Sequence, residues 1–424
     1  MRIGLQTWGS EGDIRPFTAL AAGLVKAGHQ VTLVLTDNEG RDYSYLAHRY
    51  GFELYAVGNP VSKAPHEVEA IWREIIAAGN SIKHIEMILK YGFDPVMEQM
   101  YTASQSLCVE KDLVIGHFFV FPLRVAAQKS GIPMVTVNIV HNCVPSSLMC
   151  PTGFPDIGRW VYPLAWKIAR LLLNRVFLPR VNALRQREGL LPDKDVMDDT
   201  WAAEKLNLIA VSKRICKRPD DWDDRHQVCG FLNLPQESRL DELPEGLYSF
   251  LTSGSAPVYI TFGSMMPQSL HYIQQTVSLL IKAVKIAGCR AVIQIPWSDL
   301  SQFETDNQIF KVMRSPHGKV FPFCCAIVHH GGSGTTQSSL LAGKPSVVVA
   351  HMADQPFWGA ELRRLGVAGA TLMRKSLSAK KLAHEIKIVL NDHTMSERAN
   401  TIGQELSMED GVKEAVLLIE KAFT

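Results

Sequence analysis

The stretch CAIVHHGGSGTTQSSLLAG, residues 325–343, decides the fold. A short apolar run ends in His329 and His330, glycines then bare the backbone, and TTQSSLLAG reads as the start of a helix. A strand that enters a helix through a glycine-rich turn is the first half of a βαβ unit. The first-turn amides of such a helix have no intrahelical partner and its end is positive, so the turn suits phosphate oxygens. Ser333, Thr335 and Thr336 can add hydroxyl donors, and a histidine at the strand's end can add one more hydrogen bond. The lysine of an ATPase phosphate loop is missing from this stretch. The plainer reading is a tight turn that needs glycine for its geometry alone.

The same alternation recurs on both sides. APVYITFGS (256–264), HYIQQTVSLLIKAVKIAG (271–288) and RAVIQI (290–295) precede the stretch, and PSVVVA (345–350) and WGAELRRLG (358–366) follow it. A separate cycle opens the chain with RIGLQT (2–7), PFTALAAGLVKAG (16–28) and HQVTLVLT (29–36), and resumes at DLVIGHF (112–118) and PMVTVNI (133–139). Strand, helix, strand at this spacing predicts an α/β protein with parallel sheets covered on both faces. Two Rossmann-like domains are expected, facing across a cleft, with ligands at the carboxyl ends of the strands. LNLPQESRLDELPEG (232–246) carries prolines and a run of charge and reads as the junction. The boundaries predicted are 1–236 and 237–404, with 405–424 as a C-terminal helix that packs back toward the N-terminal domain.

Length and composition agree with that reading. A chain of 424 residues exceeds what one core usually serves, and 46% hydrophobic with 20% charged residues is ordinary for a globular protein. A net charge of +2 is too small for binding nucleic acid by counterion release. Met1-Arg2 leads directly into IGLQTWGSEGD, with no apolar leader, and no stretch has the 18 or more apolar residues of a membrane span. Eight cysteines without CxxC spacing read as reduced thiols and point to the cytosol.

VHHGGSGTT (328–336), with HMADQPFWGAELRRLGVA (351–368) one strand later, resembles the donor-binding signature of the family 1 nucleotide-sugar glycosyltransferases of the GT-B fold. GSEGDIRPFTALAAGLVKAGHQVTL (9–33) and VSKRICKRPDDWDDRHQVCGF (211–231) are similar to elements of its sterol and antibiotic branch, so the resemblance covers nearly the full length. It implies that His330, Gly332, Ser333, Gly334 and Thr335 hold the donor diphosphate, with Ser264 reaching the same phosphates. It implies that Asp354 and Gln355 bind the donor hexose. Asp354 as a helix cap ahead of Pro356 is the alternative on the residues alone. Trp297 and Val320 are the candidates for the nucleoside. In PHGKVFP (316–322) Lys319 stands where the branch has an aromatic, and Ser338 stands where plant members carry an acidic residue for ribose. Uridine and deoxythymidine donors both stay open, with UDP-glucose the donor implied. Such a cage needs no metal and no cofactor.

The loop WGSEGDIRP (8–16) places Asp13 near a helix start, where a carboxylate repels phosphate but suits a base that activates an acceptor hydroxyl. Asp13 as a helix cap is the alternative. The resemblance pairs it with His117, in LVIGHFF (113–119), with the residue types exchanged relative to plant members; a core imidazole is the other reading of His117. Single-step displacement through an oxocarbenium-like state would invert the donor linkage to a β-glycoside. The acceptor expected is a lipophilic small molecule: sterol, polyketide, phenolic or lipid. Residues 160–189 are rich in bulky apolar and basic side chains. They read as a helical pair interrupted at Pro163 and Pro179 with a solvated basic face, or as an apolar and a cationic face that touches an anionic membrane peripherally. A nucleotide-sugar hydrolase or epimerase of the same fold, and a non-catalytic nucleotide-sugar-binding protein, are the competing functions.

Overall fold

The structure, a computed structural model, describes residues 1–58, 65–109, 111–154, 156–234, 243–263, 270–296, 299–300 and 307–423. The chain forms two units, Met1–Ser62 with Ile85–Leu234 and Glu409–Thr424, and Lys63–His84 with Pro235–Met408.

The first unit holds a seven-stranded parallel sheet: β1 (Arg2–Gly9), β2 (Gln30–Asp37), β3 (Glu53–Ala56), β4 (Leu113–His117), β5 (Met134–Asn138), β6 (Leu206–Ile209) and β7 (His226–Val228). Their order is β3-β2-β1-β4-β5-β6-β7. Central strands buried on both faces read as continuous apolar runs, and every residue of β4 and β5 is buried. The helix Glu11–Lys26 buries Ile14, Phe17, Leu20, Ala21 and Leu24, spaced three and four apart, against this sheet. The C-terminal helix Gly411–Phe423 packs on it through Ala415, Val416 and Ile419. The helix Tyr162–Arg187 runs unbroken for 26 residues, with Pro163 in its first turn and Pro179 inside it. The pair of helices expected from those prolines is therefore one. Proline at a helix start costs nothing, and around Pro179 the burial of Val176, Phe177 and Val181 in the core holds the helix together past the missing donor.

The second unit repeats the plan with β8 (Val258–Thr261), β9 (Ala291–Gln294), β10 (Ile309–Val312), β11 (Ala326–His329), β12 (Ser346–Ala350) and β13 (Leu372–Met373), in the order β10-β9-β8-β11-β12-β13. Valines and isoleucines of β8, β9, β11 and β12 form its core with the helices Leu270–Ala287 and Ala379–Asn391. Residues 63–84, assigned from sequence to the first domain, fold with this unit. Ser81 Oγ donates to the carbonyl of Ala353 at 3.3 Å, and the amide of Ala353 donates to His84 Nδ1 at 3.3 Å. The junction predicted within 232–246 falls partly on residues 235–242, outside the described residues.

In both sheets the strand order reverses once, between β1 and β4 and between β8 and β11. An open α/β sheet leaves a crevice at such a reversal, beyond the carboxyl ends of the two strands, because the following connections diverge to opposite faces.

Candidate active site

In the first unit the reversal is occupied by Asp13 and His117. β1 ends at Gly9, which adopts φ +138°, and a Cβ there would lie 2.2 Å from Asp13 Oδ2. Only glycine lets the chain turn this close to the carboxylate. Ser10 is the N-cap of the helix Glu11–Lys26, and Asp13 Oδ2 accepts from the Ser10 amide at 2.8 Å and from Ser10 Oγ at 3.1 Å. That is the reciprocal cap of a Ser-x-x-Asp start. The other oxygen, Oδ1, lies 3.6 Å from His117 Nε2 at the end of β4.

His117 is buried, and burial pushes its imidazole down to about 3. It is therefore neutral at physiological pH. Its Nδ1 accepts from the Phe119 amide at 3.3 Å, which leaves the single proton on Nε2, on the side of Asp13. Nε2 has no hydrogen-bond partner among the described residues. Asp13 caps with one oxygen and keeps the other toward His117, and His117 is a backbone-tied imidazole whose Nε2 faces that carboxylate. Phe17, Phe118 and Phe119 surround the ring.

In the second unit the reversal is occupied by His330. β11 ends at His329, in register with Thr261 of β8, and the helix Ser333–Leu341 starts four residues later. The imidazole of His330 lies between two glycines. A Cβ on Gly263 would stand 2.9 Å from its Cε1, and one on Gly332 would stand 2.4 Å from its Nε2. Burial pushes His330 down to about 4, and burial with the nearby His330 and His317 pushes His329 down to about 3. Burial, then His330 and Arg374, holds His351 well below its ordinary value. His330 is thus a neutral hydrogen-bonding group, and its Nδ1 is buried without a partner among the described residues.

Gly332 is the N-cap of the helix Ser333–Leu341 and offers no side chain to the helix's own amides. The first backbone amide bonded back into the helix is that of Thr336, to the carbonyl of Gly332 at 2.9 Å. Gly332, Ser333, Gly334 and Thr335 are partly exposed around this end. Thr336 is not. Its hydroxyl is fully buried and without a partner among the described residues, so the hydroxyl contribution expected of it toward a bound phosphate is withdrawn. Successive helical residues point about 100° apart, which turns Thr335 outward and Thr336 inward.

Asp354 occupies the N-cap position of the helix Gln355–Arg364, with no capping bond from its side chain. Its Oδ2 instead accepts from Trp358 Nε1 at 2.9 Å, and burial raises its carboxyl while that bond lowers it. Gln355 Oε1 accepts from the amides of His351 at 2.7 Å and Met352 at 3.1 Å, so this side chain shapes its own loop. Ala353, directly before Asp354, holds φ +50°, the one positive φ outside glycine among the described residues. Strain of this kind persists where the surroundings over-determine it, here through Ser81, His84 and Gln355.

Val320 is a core residue, 0% exposed, packed with Leu247, Val292 and Phe321. Its side chain is closed to the nucleoside expected there. Ser264 and Trp297 lie outside the described residues. Sequence reading missed Ser10, His84 and Trp358, which hold Asp13, Ala353 and Asp354. Ser10 and Trp358 carried a signal, the cap spacing and the i, i+4 spacing; His84 lies 269 residues from its partner and carried none.

Residues 3–137 match the glycosyltransferase family 28 N-terminal domain, and residues 283–420 match the erythromycin biosynthesis protein CIII-like C-terminal domain. Over 99% of its length the chain is 28% identical to the O-mycaminosyltylonolide 6-deoxyallosyltransferase of Streptomyces fradiae, of which it covers 97%. It is 27% identical over 98% of its length to a sterol 3-beta-glucosyltransferase of Arabidopsis thaliana, covering 67% of that protein, and it covers 35% of a yeast sterol 3-beta-glucosyltransferase. In fold it resembles the glycosyltransferase of kitacinnamycin (TM-score 0.68, 19% identity, 100% and 99% of the two chains). It also resembles a Streptomyces glycosyltransferase complexed with thymidine diphosphate (TM-score 0.65, 18% identity, 100% of both chains). The chain is a glycosyltransferase of the GT-B type, with a family 28 N-terminal domain and an erythromycin biosynthesis protein CIII-like C-terminal domain.

Proposed function

We propose that the protein transfers a hexose, in the first instance glucose from UDP-glucose, to a hydroxyl of a lipophilic small molecule, with inversion and without a metal ion. The observation that carries this reading is a pair of sites at matching places in the two sheets: a carboxylate beside a neutral imidazole after β1 and β4, and an uncapped helix start beside His330 after β11. Sterol glucosyltransferases among the relatives support glucose and a sterol-like acceptor, and the macrolide transferase supports a polyketide.

The donor diphosphate rests on the amides and hydroxyls of Ser333, Gly334 and Thr335, with His330 donating a hydrogen bond. The acceptor hydroxyl gives its proton to Asp13 as its oxygen bonds to the anomeric carbon. The bond from that carbon to the diphosphate breaks on the opposite face, and the charge released collects at the positive helix end. This replaces a metal's Lewis-acid role with fixed backbone dipoles. The neutral His117 presents Nε2–H toward Asp13 and keeps the carboxylate aimed; apo distances of this kind tighten in the reacting complex. Asp354 and Gln355 meet the sugar hydroxyls from the strained loop.

Thermal shift with UDP, dTDP and their glucose conjugates identifies the donor, since binding to the native state raises Tm. Turnover with sterol and macrolide aglycone panels follows, and the anomeric proton coupling of the product reads the stereochemistry. An α-glycoside, or loss of turnover on adding a chelator, would overturn the mechanism as written.

A further inference from the structure

The helix Tyr162–Arg187 carries apolar side chains on two faces. One face is the core: Ala165, Trp166, Ala169, Leu173, Val176 and Phe177 are buried. The other is in solvent, with Leu164 59%, Ile168 42% and Leu171 70% exposed, and Trp160, in the turn Arg159–Val161 just before the helix, 80% exposed. At about 100° per residue Leu164, Lys167, Ile168, Leu171 and Arg175 share one arc of about 100°, roughly opposite the buried face. The expected division into one apolar and one cationic face is therefore not what folds: cations are interleaved with the exposed apolar row.

We infer that this row is a docking surface for an anionic lipid bilayer, on which the protein lies peripherally. No helix of the described residues is long and apolar enough to cross a membrane. Charge selects the occupant. The helix contains no Asp or Glu, and Lys167 and Arg175 have no carboxylate partner among the described residues. The carboxylates at its flank are engaged: Asp195 and Asp198 hold Arg170, and Asp156 accepts from Tyr162. A second copy docking through the same row would set Lys167 and Arg175 against their own counterparts. A bilayer of anionic headgroups instead meets the cations with opposite charge while the apolar row enters the acyl boundary. Trp160 supplies the amphipathic ring that settles at headgroup depth.

The test is co-sedimentation of the full chain with phosphatidylcholine vesicles, with and without phosphatidylglycerol, at low and high salt. Binding is expected to the anionic vesicles, weakening with salt. Leu164→Ser with Leu171→Ser, and separately Lys167→Glu with Arg175→Glu, should each weaken it by about tenfold or more. All four side chains are exposed, so melting temperatures should match the parent's. Absence of sedimentation with anionic vesicles at low salt overturns the proposal, as does equal binding by the variants. Sedimentation velocity that shows a dimer dissolved by the same substitutions overturns it too, because the row would then serve a second copy.

Discussion

Gly332→Ala isolates the contact on which the proposed phosphate site depends. Gly332 has φ −68° and ψ 144°, which alanine adopts without strain. The new methyl would sit 2.4 Å from His330 Nε2 and 3.2 Å from Cδ2 and Cε1, where ordinary contact begins near 3.4 Å. The ring must retreat by about 1 Å from a position already so close to Gly263 that a Cβ there would stand 2.9 Å from its Cε1, so it leaves the place the two glycines shape for it. A displacement of about 1 Å in a group that meets the transition state costs about 100-fold in kcat/KM, or about 2.7 kcal/mol. Stability changes less, since about 1–3 kcal/mol of crowding is partly offset by about 0.4–1 kcal/mol of unfolded-state entropy lost with the glycine. The assay is kcat/KM for the donor, with a calorimetric Kd for the nucleoside diphosphate, run as a cycle with His330→Ala. If the damage travels through the ring, Gly332→Ala adds little once the ring is gone. A near-parental kcat/KM, or additive losses in the cycle, refutes the placement of His330 at the phosphates.

Asp13→Asn should lower kcat by about 10²–10⁴ while the nucleotide Kd stays within about twofold, because the proposed nucleotide ligands belong to the other unit; near-normal turnover removes Asp13 as the base. His330→Gln should flatten the acid sensitivity of folding. The folded value of about 4 lies below the free imidazole's, so stability is full above about pH 6.5 and is lost as pH falls toward 4. Between pH 7.5 and 5 the urea-derived stability of the parent should fall by about 2 kcal/mol more than the variant's, and equal slopes would contradict burial of a neutral ring. His84→Ala removes the acceptor of the Ala353 amide and should raise the donor-sugar KM by about tenfold while leaving the affinity for the bare nucleoside diphosphate unchanged. A matching loss in both would show that His84 acts on the fold of the unit rather than on the sugar loop.

The alternation of strands and helices was legible because parallel strands buried on both faces leave continuous apolar runs, and β4 and β5 are buried at every position. Asp13 was legible from its place in the loop after a strand, close to a helix start. Its pairing with His117, 104 residues on, was legible only through the family resemblance; physically it is the β1–β4 register, Gln6 opposite Gly116, that brings the two together. The inward turn of Thr336 depends on where the helix starts, which the glycines obscure. Pro179 misled because a proline's missing donor looks like a break from sequence, whereas packing of Val176, Phe177 and Val181 in the core carries the helix through. Residues 63–84 gave no sign of joining the second unit, because side-chain bonds to one strained alanine leave no periodic pattern.

The two units share a frame and differ in what answers the first turn of the helix after the reversal. In the first, Ser10 and Asp13 satisfy each other at the helix start, and the carboxylate fills the positive end, so a phosphate would meet a negative charge there. In the second, the cap is Gly332, the first turn holds no acidic residue, and the positive end is left to an anion. On the proposed function, the same geometry serves a base in one place and an anion site in the other through a change at the cap and the third helical residue. It also fixes a neutral histidine at each: burial denies His117 and His330 their charge, so neither competes as a cation for the carboxylate nor, in the proposed mechanism, holds a diphosphate by charge. Replacing either by lysine would add charge where the fold has excluded it, strengthening the ground state of the bound diphosphate at His330 and neutralising the base at His117, and in both cases the chemical step would slow.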